Sequence, residues 1–322
     1  MDPTTLLVIS SPHYPFLRYL DSLPQPVTVL TGTDLDFLKQ HAPEADVILN
    51  GFHDGTALQA ILPLAARVKW IHALAAGVEK VLSPELIASP APLTNGKGVF
   101  GPALAEFSLA AMLFFAKDLR RLIRQQEAAR WEQFDVAFLR DQTLGVVGYG
   151  GIGREVARLA HALGMKVVAL RRRPPSPEND PVLERSFTRE QLNEMLGLSD
   201  YVLAAAPLTP ETKAMLGYGE FHFMKPSAVF INVGRGAVVV ESALISALNQ
   251  ALIRGAALDV YETEPLPADH PFYRMENVLL SPHSADHTTG WMELAVKQFI
   301  ENFKRFRSGQ PLEFIVDKQS GY

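Results

Sequence analysis

Residues 144–154 read LGVVGYGGIGR, and the fold follows from how that stretch is read. Leu144, Val146 and Val147 belong to an apolar run too short for a helix and suited to a buried parallel strand. The run ends in Gly148-Tyr149-Gly150-Gly151-Ile152-Gly153, which fits G-x-G-x-x-G. Val156, Leu159, Ala160 and Leu163 then recur at helical spacing until Gly164 offers a stop, and a second apolar run, Lys166 to Leu170, follows at once. Strand, glycine turn, helix and strand fit within about 30 residues, the span of a dinucleotide-binding unit. In such a unit Gly148 permits the tight turn, Gly150 lets the backbone approach a pyrophosphate, and Gly153 lets the helix pack closely on the strand. The helix N-terminus presents N–H groups and a partial positive charge to the phosphates.

The end of the second strand decides which dinucleotide is preferred. An NAD site has Asp or Glu there to hold the ribose 2′-OH. Here the position after Leu170 holds Arg171, followed by Arg172 and Arg173. Guanidinium groups pair with a 2′-phosphate bidentately, where a carboxylate would repel it. NADP is therefore expected over NAD, with NAD use left open. A solvated basic loop before Pro174 and Pro175 is the plainer alternative.

At 322 residues the chain has room for two domains of ordinary size. Hydrophobic content of 48% and charged content of 20% describe a globular protein. A net charge of −5 gives no electrostatic footprint for nucleic acid. With no cysteine, disulfides, thiolate metal sites and a cysteine nucleophile are excluded. No apolar run reaches the roughly 18 residues of a membrane span, and the N-terminus shows no secretory pattern. A cytoplasmic location is the default expectation.

The first hundred residues alternate strand-like runs (Leu6 to Ser10, Val27 to Leu30, Asp46 to Leu49, Val68 to His72) with helical segments around Phe37, Leu38 and His41 and around Leu58, Ile61 and Leu62. That alternation predicts an α/β domain with a parallel sheet. Ala73 to Val81, ALAAGVEKV, follows a strand, where N–H groups around Ala76, Gly77 and Val78 could hold a small carboxylate; an ordinary turn into a helix fits the pattern equally. Asn95 to Pro102, NGKGVFGP, suits a flexible crossing between domains. Ala103 to Arg121 reads as a helix whose first part is apolar on every side, with Leu104, Phe107, Leu109, Met112, Leu113, Phe114 and Phe115 pointing all round. Such a helix must be covered on every side, between domains or by a second subunit, so a homodimer is expected. Further strands are predicted over Tyr201–Ala205, Ala228–Val233, Ala256–Val260 and Val278–Leu280, and a final helix over Trp291–Phe306. That helix is expected to return to the first domain. The predicted division is therefore 1–100 with 291–322 as a discontinuous substrate-binding domain, and 101–290 as the dinucleotide-binding domain.

Arg235, Glu264 and His283 each lie just after a predicted strand. Arg235 sits between two glycines and suits a planar carboxylate. A carboxylate such as Glu264 bonded to one imidazole nitrogen orients the ring and favours its charged form. Raising a histidine pKa by about one unit takes it from roughly a quarter to roughly three quarters protonated at neutral pH. That suits an acid that protonates a carbonyl during reduction.

The stretches GYGGIG, PLTPET, INVGRG, ALDVYETEPLP and SPH, in this order and spacing, resemble the D-isomer-specific 2-hydroxyacid dehydrogenases from about Ala73 to the C-terminal helix. The resemblance implies two Rossmann-like or flavodoxin-like domains with the active site in the cleft between them. It implies a homodimer built through the cofactor domain, and hydride transfer between a nicotinamide and a 2-oxo acid. It assigns His283 as acid/base, Glu264 as its partner, Arg235 to the substrate carboxylate, and the Ala76, Gly77 and Val78 backbone to the same group. Asp259 is placed near the nicotinamide carboxamide. The cofactor would further meet Tyr149, Gly151 and Ile152 of the glycine turn, Ala206, Pro207 and Thr212 of PLTPET and its flank, and Val233 and Gly234 of INVGRG. Two departures stand out. Arg171 takes the place of the usual aspartate, as is similar to the NADP-linked glyoxylate/hydroxypyruvate reductases, and Ser284-Ala285-Asp286-His287 is less typical. An NAD-linked dehydrogenase resembling D-3-phosphoglycerate dehydrogenase and a cofactor-sensing binding protein remain alternatives. A metal pair at His283 and His287 lacks a third ligand placed by the sequence, so no metal is expected.

Overall fold

Short apolar runs punctuated by turn residues become the strands of two sheets, both parallel throughout. The structure, a computed structural model, describes residues 3–51, 55–172 and 180–322. Arg173, one of the three arginines expected at the cofactor, lies outside the described residues. The chain divides into two units, one running to Phe100 and resuming over Thr289–Tyr322, the other Gly101–Thr288.

The first unit holds β1 (Thr4–Ile9), β2 (Val27–Gly32), α1 (Leu35–His41), β3 (Val47–Asn50), α2 (Thr56–Ile61), β4 (Trp70–Ala73), α3 (Pro84–Ala88) and β5 (Leu93–Asn95). Its strand order is β2-β1-β3-β4-β5, the flavodoxin-like order. Every residue of β3 and β4 is buried, as expected of strands covered on both faces. Local chemistry starts the helices: Asp34 accepts from the Phe37 N–H ahead of α1, and Ser83 accepts from the Leu86 N–H ahead of α3.

The second unit holds α4 (Gly101–Ala116), α5 (Leu119–Glu127), β6 (Thr143–Val147), α6 (Gly151–Ala162), β7 (Lys166–Leu170), β8 (Arg185–Phe187), α7 (Leu192–Leu198), β9 (Tyr201–Ala204), α8 (Tyr218–Phe223), β10 (Val229–Asn232), α9 (Glu241–Asn249), β11 (Gly255–Leu258) and β12 (Val278–Leu280). The order is β12-β11-β10-β9-β6-β7-β8, a Rossmann sheet extended by one strand. β6 lies between β7 and β9, so the order reverses beside the glycine turn, where such sheets bind ligands. The last helix, α10 (Trp291–Arg307), returns to the first unit, and its Phe299 stacks on Trp70 of β4 with ring centroids 5.1 Å apart.

One expectation needs correction. The helix read over Ala103–Arg121 is two helices, because Asp118 adopts a left-handed conformation (φ 46°) and breaks the run. Leu104, Ala105, Ser108, Ala111, Met112 and Phe115 make one buried face, whereas Phe107, Leu113 and Phe114 are only half-buried. Among the described residues no helix is long and apolar enough to cross a membrane.

A buried histidine gives the first unit a pH-dependent stability. His72 of β4 is fully buried, its Nδ1 lies 2.7 Å from Thr94 Oγ1, and Nε2 finds no hydrogen-bond partner among the described residues. Burial pushes its pKa down from 6.5 to about 3. The unfolded chain therefore binds more protons below pH 6.5, and stability is lost as pH falls from that point toward 3. The expected loss from this one group is about 2 kcal/mol between pH 6.5 and about pH 4.5. Urea unfolding of the wild type and His72→Leu at both pH values checks it, and equal slopes for the two proteins would refute it.

Candidate active site

The glycine turn is built as a cradle. Val147, Leu170 and Ala204 stand in register at the ends of β6, β7 and β9, so Gly148, Arg171 and Ala205 follow side by side at the carboxyl edge. Gly148 has φ 99°, and a Cβ on it would lie 2.5 Å from the Ala206 nitrogen. Only glycine permits both that conformation and that approach. Gly153 at the start of α6 lies against the Gly148 carbonyl oxygen, which fixes the helix on the turn. Cβ atoms on Gly150 and Gly151 would meet nothing within 4 Å. That open space, beside the first turn of α6, fits a pyrophosphate and is what a dinucleotide requires.

Arginines flank the cradle. The Arg171 guanidinium lies 5.6 Å from the centre of the Tyr149 ring, and Arg154 approaches the same ring at 5.6 Å. Tyr149 donates its hydroxyl to Asp180 Oδ2 at 2.9 Å, which ties the glycine turn to the segment ahead of β8. Arg154 is a second cation that sequence reading did not single out, because it follows the last glycine of the pattern. Arg172 is exposed just beyond Arg171. Across the turn, Thr212 Oγ1 accepts from the Thr209 N–H and donates to the Pro207 carbonyl, closing the Ala206–Thr212 loop on itself.

Three adjacent strands bring the polar trio to one edge. Asn232, Leu258 and Leu280 are in register across β10, β11 and β12, and the segments carrying Arg235, Glu264 and His283 follow them. After β10, Val233 and Gly234 are buried and lead to Arg235. Asn232 shapes this turn, accepting from the Gly234 N–H and donating to the Arg235 carbonyl. The Arg235 guanidinium donates from Nη1 to the Gly234 carbonyl at 2.7 Å. At Gly236 a Cβ would fall 1.9 Å from the Tyr261 carbonyl carbon, so only glycine lets this turn touch the loop after β11.

Glu264 is held at both oxygens. Oε1 accepts from the Tyr261 N–H at 3.0 Å, and Oε2 lies 2.8 Å from His283 Nδ1. The hydrogen bond that His283 donates to Glu264 holds the His283 pKa above its ordinary value; burial opposes this, and the Glu264 and Asp259 charges add to the rise. His283 has φ 52°, an unfavourable left-handed conformation for a side chain of this size, costing about 1 kcal/mol. Asp259, almost wholly buried, supports it. Its Oδ1 accepts from Ser281 Oγ at 2.6 Å, Ser284 N at 2.9 Å and Ala285 N at 3.1 Å. Asp259 thus ties the histidine loop to the end of β11.

The less typical stretch beyond His283 is not helical, and Asp286 Oδ1 lies 3.7 Å from His287 Nε2 without a hydrogen-bond partner among the described residues. Burial pushes the Asp286 carboxyl up. Among the described residues no group of three or more His, Cys, Asp or Glu gathers as a metal site. In the first unit, Ala76 and Gly77 are half-buried and Val78 is buried, and the Ala76 carbonyl accepts from the Asn95 side chain.

Known proteins share this plan. Residues 109–285 match the family model described as D-isomer specific 2-hydroxyacid dehydrogenase, NAD binding domain. Glyoxylate reductase of Korarchaeum cryptofilum is 31% identical over 311 residues, covering 89% of this chain and 90% of that protein. The crystal structure of the NADPH-dependent glyoxylate/hydroxypyruvate reductase of Sinorhizobium meliloti, in complex with NADP and sulfate, superposes with a TM-score of 0.83 at 26% identity, covering 100% of both chains. A D-isomer specific 2-hydroxyacid dehydrogenase of Xanthobacter autotrophicus, in complex with NADPH and MES, does so with a TM-score of 0.82 at 28% identity, covering 99% of both. A dinucleotide cradle, a tethered histidine–glutamate pair, and a family match over more than half the chain lead to one conclusion: this protein belongs to the D-isomer specific 2-hydroxyacid dehydrogenase family.

Proposed function

We propose that the protein reduces small 2-oxo acids with a preference for NADP(H) over NAD(H), glyoxylate and hydroxypyruvate being the leading substrates. The observation that carries this reading is the 2.8 Å contact of His283 Nδ1 with Glu264 Oε2, at the same sheet edge as Arg235 and the glycine cradle. Gly148 to Gly153 would hold the pyrophosphate, and Arg171 with Arg172 the 2′-phosphate. Arg171 stands where a carboxylate would serve NAD. The loops at Ala206, Pro207 and Thr212, at Val233 and Gly234, and at Asp259 would complete the cofactor's surroundings. When bound, the dinucleotide supplies the hydride for C2 of the oxo acid.

The remaining work falls to side chains of this chain. Arg235, braced by the Gly234 carbonyl, takes the planar substrate carboxylate and polarises the ketone. The backbone N–H groups of Ala76, Gly77 and Val78 would hold a small carboxylate. Glu264 orients the imidazole through Nδ1, so Nε2 is the nitrogen that gives its proton to the carbonyl oxygen. The raised pKa keeps more of His283 protonated at neutral pH than an ordinary histidine would be.

Pairing of two copies through the second unit is part of the same reading. Trp131 is 95% exposed and Phe138 77% exposed, with Leu122 and Ile123 of α5 also open to solvent. Four exposed large apolar side chains within residues 122–138 support an association surface on that segment.

The experiment is kcat/KM for a panel of 2-oxo acids with each reduced cofactor. Glyoxylate and hydroxypyruvate are expected to lead the panel, with NADPH ahead of NADH. Faster turnover of bulkier 2-oxo acids would overturn the substrate reading, and equal use of NADH would overturn the cofactor reading.

A further inference from the structure

We propose, on the roles given above to Glu264 and His283, that Glu241 and His270 are positioning residues for that pair: together they fix the loop after β11 so that Glu264 stays on His283. Glu241 opens α9, on the segment that follows Arg235. Its Oε2 accepts from the Glu262 N–H at 3.2 Å, and its Oε1 lies 3.0 Å from His270 Nε2. His270 Nδ1 accepts from the Phe272 N–H at 3.4 Å, so the ring proton faces Glu241 from Nε2. The two side chains are only 13% (His270) and 18% (Glu241) exposed, so the carboxylate has given up most of its water and depends on these two donors. The His270 ring packs on Phe272 with ring centroids 4.7 Å apart, and Phe272 is buried in the core of the second unit. Glu241 is thus anchored to the core on one side and grips a loop on the other.

That loop needs the grip. Tyr261 is buried, with its hydroxyl within hydrogen-bond distance of the Leu258 and Ser281 carbonyls and its own carbonyl pressed against Gly236. The next residues, Glu262, Thr263 and Glu264, are exposed, so packing does not hold them. Tyr261 and Glu262 offer consecutive N–H groups. Glu264 Oε1 takes the first, and Glu241 Oε2 takes the second. An orienting carboxylate works only within a narrow range of geometry, and supporting hydrogen bonds are what keep it there.

The route of action follows from the same contacts. Glu264, Asp259 and Arg235 act on the His283 ring with their charges, and Asp286 interacts with it as well. Both Glu241 oxygens are engaged by Glu262 and His270, so Glu241 reaches His283 through the loop and not by touching it. Without Glu241 the Glu262 end of the loop is released, Glu264 spends less time on Nδ1, and the imidazole loses part of what favours its charged form. A residue that only stabilised the fold would leave the titration of His283 where it is.

Two measurements on the full chain test this: NMR titration of the His283 imidazole, its signal assigned by its loss in His283→Ala, and the pH profile of glyoxylate reduction. In Glu241→Ala the imidazole midpoint and the falling limb of the profile are expected to move about half a unit to lower pH. In the same variant kcat should fall about tenfold, with KM for NADPH within roughly threefold of the wild type. Glu241→Gln, which keeps an acceptor for the Glu262 N–H, should recover most of both changes. Added to Glu264→Ala, Glu241→Ala should change kcat by less than about twofold, because the carboxylate it positions is already gone. His270→Ala should move the midpoint in the same direction, and it serves as the test if Glu241→Ala does not fold. An imidazole midpoint unchanged from the wild type in the alanine variants overturns the proposal. So does a full tenfold loss on top of Glu264→Ala, which would make Glu241 a structural residue. Failure of the wild type to reduce any 2-oxo acid would remove the assigned reaction, and the imidazole titration would still decide whether Glu241 and His270 hold Glu264 on His283.

Discussion

His283→Ala is expected to lower kcat for glyoxylate reduction by roughly 10²–10⁴-fold, the usual contribution of a positioned general acid, while NADPH still binds. The separation follows from where the side chain sits. His283 belongs to the loop after β12, whereas the glycine turn proposed to hold the phosphates lies between β6 and α6. Stopped-flow turnover with fluorescence titration of NADPH on the same variant reads both quantities. Unchanged turnover with normal NADPH binding would remove the histidine from the chemistry. The pH profile supplies the sign. A group whose pKa is raised keeps its proton up to that higher value, so reduction should fall only as pH rises through it. Glu264→Gln removes the largest cause of the rise, so the falling limb should move to lower pH while NADPH binding persists.

Arg171→Asp is expected to lower the ratio of kcat/KM for NADPH to that for NADH by roughly a hundredfold or more. A charge-assisted contact to phosphate contributes about 1.5–3 kcal/mol, and a carboxylate in its place adds repulsion of the 2′-phosphate; each 1.4 kcal/mol or so is a factor of ten. The position is well suited to such a test. Arg171 follows β7 in register with the end of β6, and its guanidinium already rests near the Tyr149 ring of the glycine turn. Arg154 flanks the same ring and should soften the change without reversing it. A ratio that stays within a factor of three would mean that Arg171 is only a surface cation.

Much of this protein was legible along the chain because its determinants are local. Period, length and turn residues are written in consecutive positions, so the strand–glycine–helix–strand unit at Leu144–Leu170 could be read without a fold. The same holds for the alternation of strands and helices in the first hundred residues, and for the basic run at Arg171. The five separated motifs carried the family, whose match spans residues 109–285. Where the chain turns against expectation the signal was weaker: nothing in the apolar run Leu104–Phe115 announces that Asp118 will take a left-handed conformation and split the helix.

Which residues face one another was decided by tertiary structure alone. Arg235, Glu264 and His283 reach one edge because β10, β11 and β12 pair side by side, and strand order is a property of the whole sheet. Gly236 matters only because another backbone, at Tyr261, presses against it. Asp259 holds the loop of His283 through three hydrogen bonds to residues 22 to 26 positions away. Hydrogen bonding, charge pairing and close packing act through space, so a chain read one residue after another records the partners without recording that they meet.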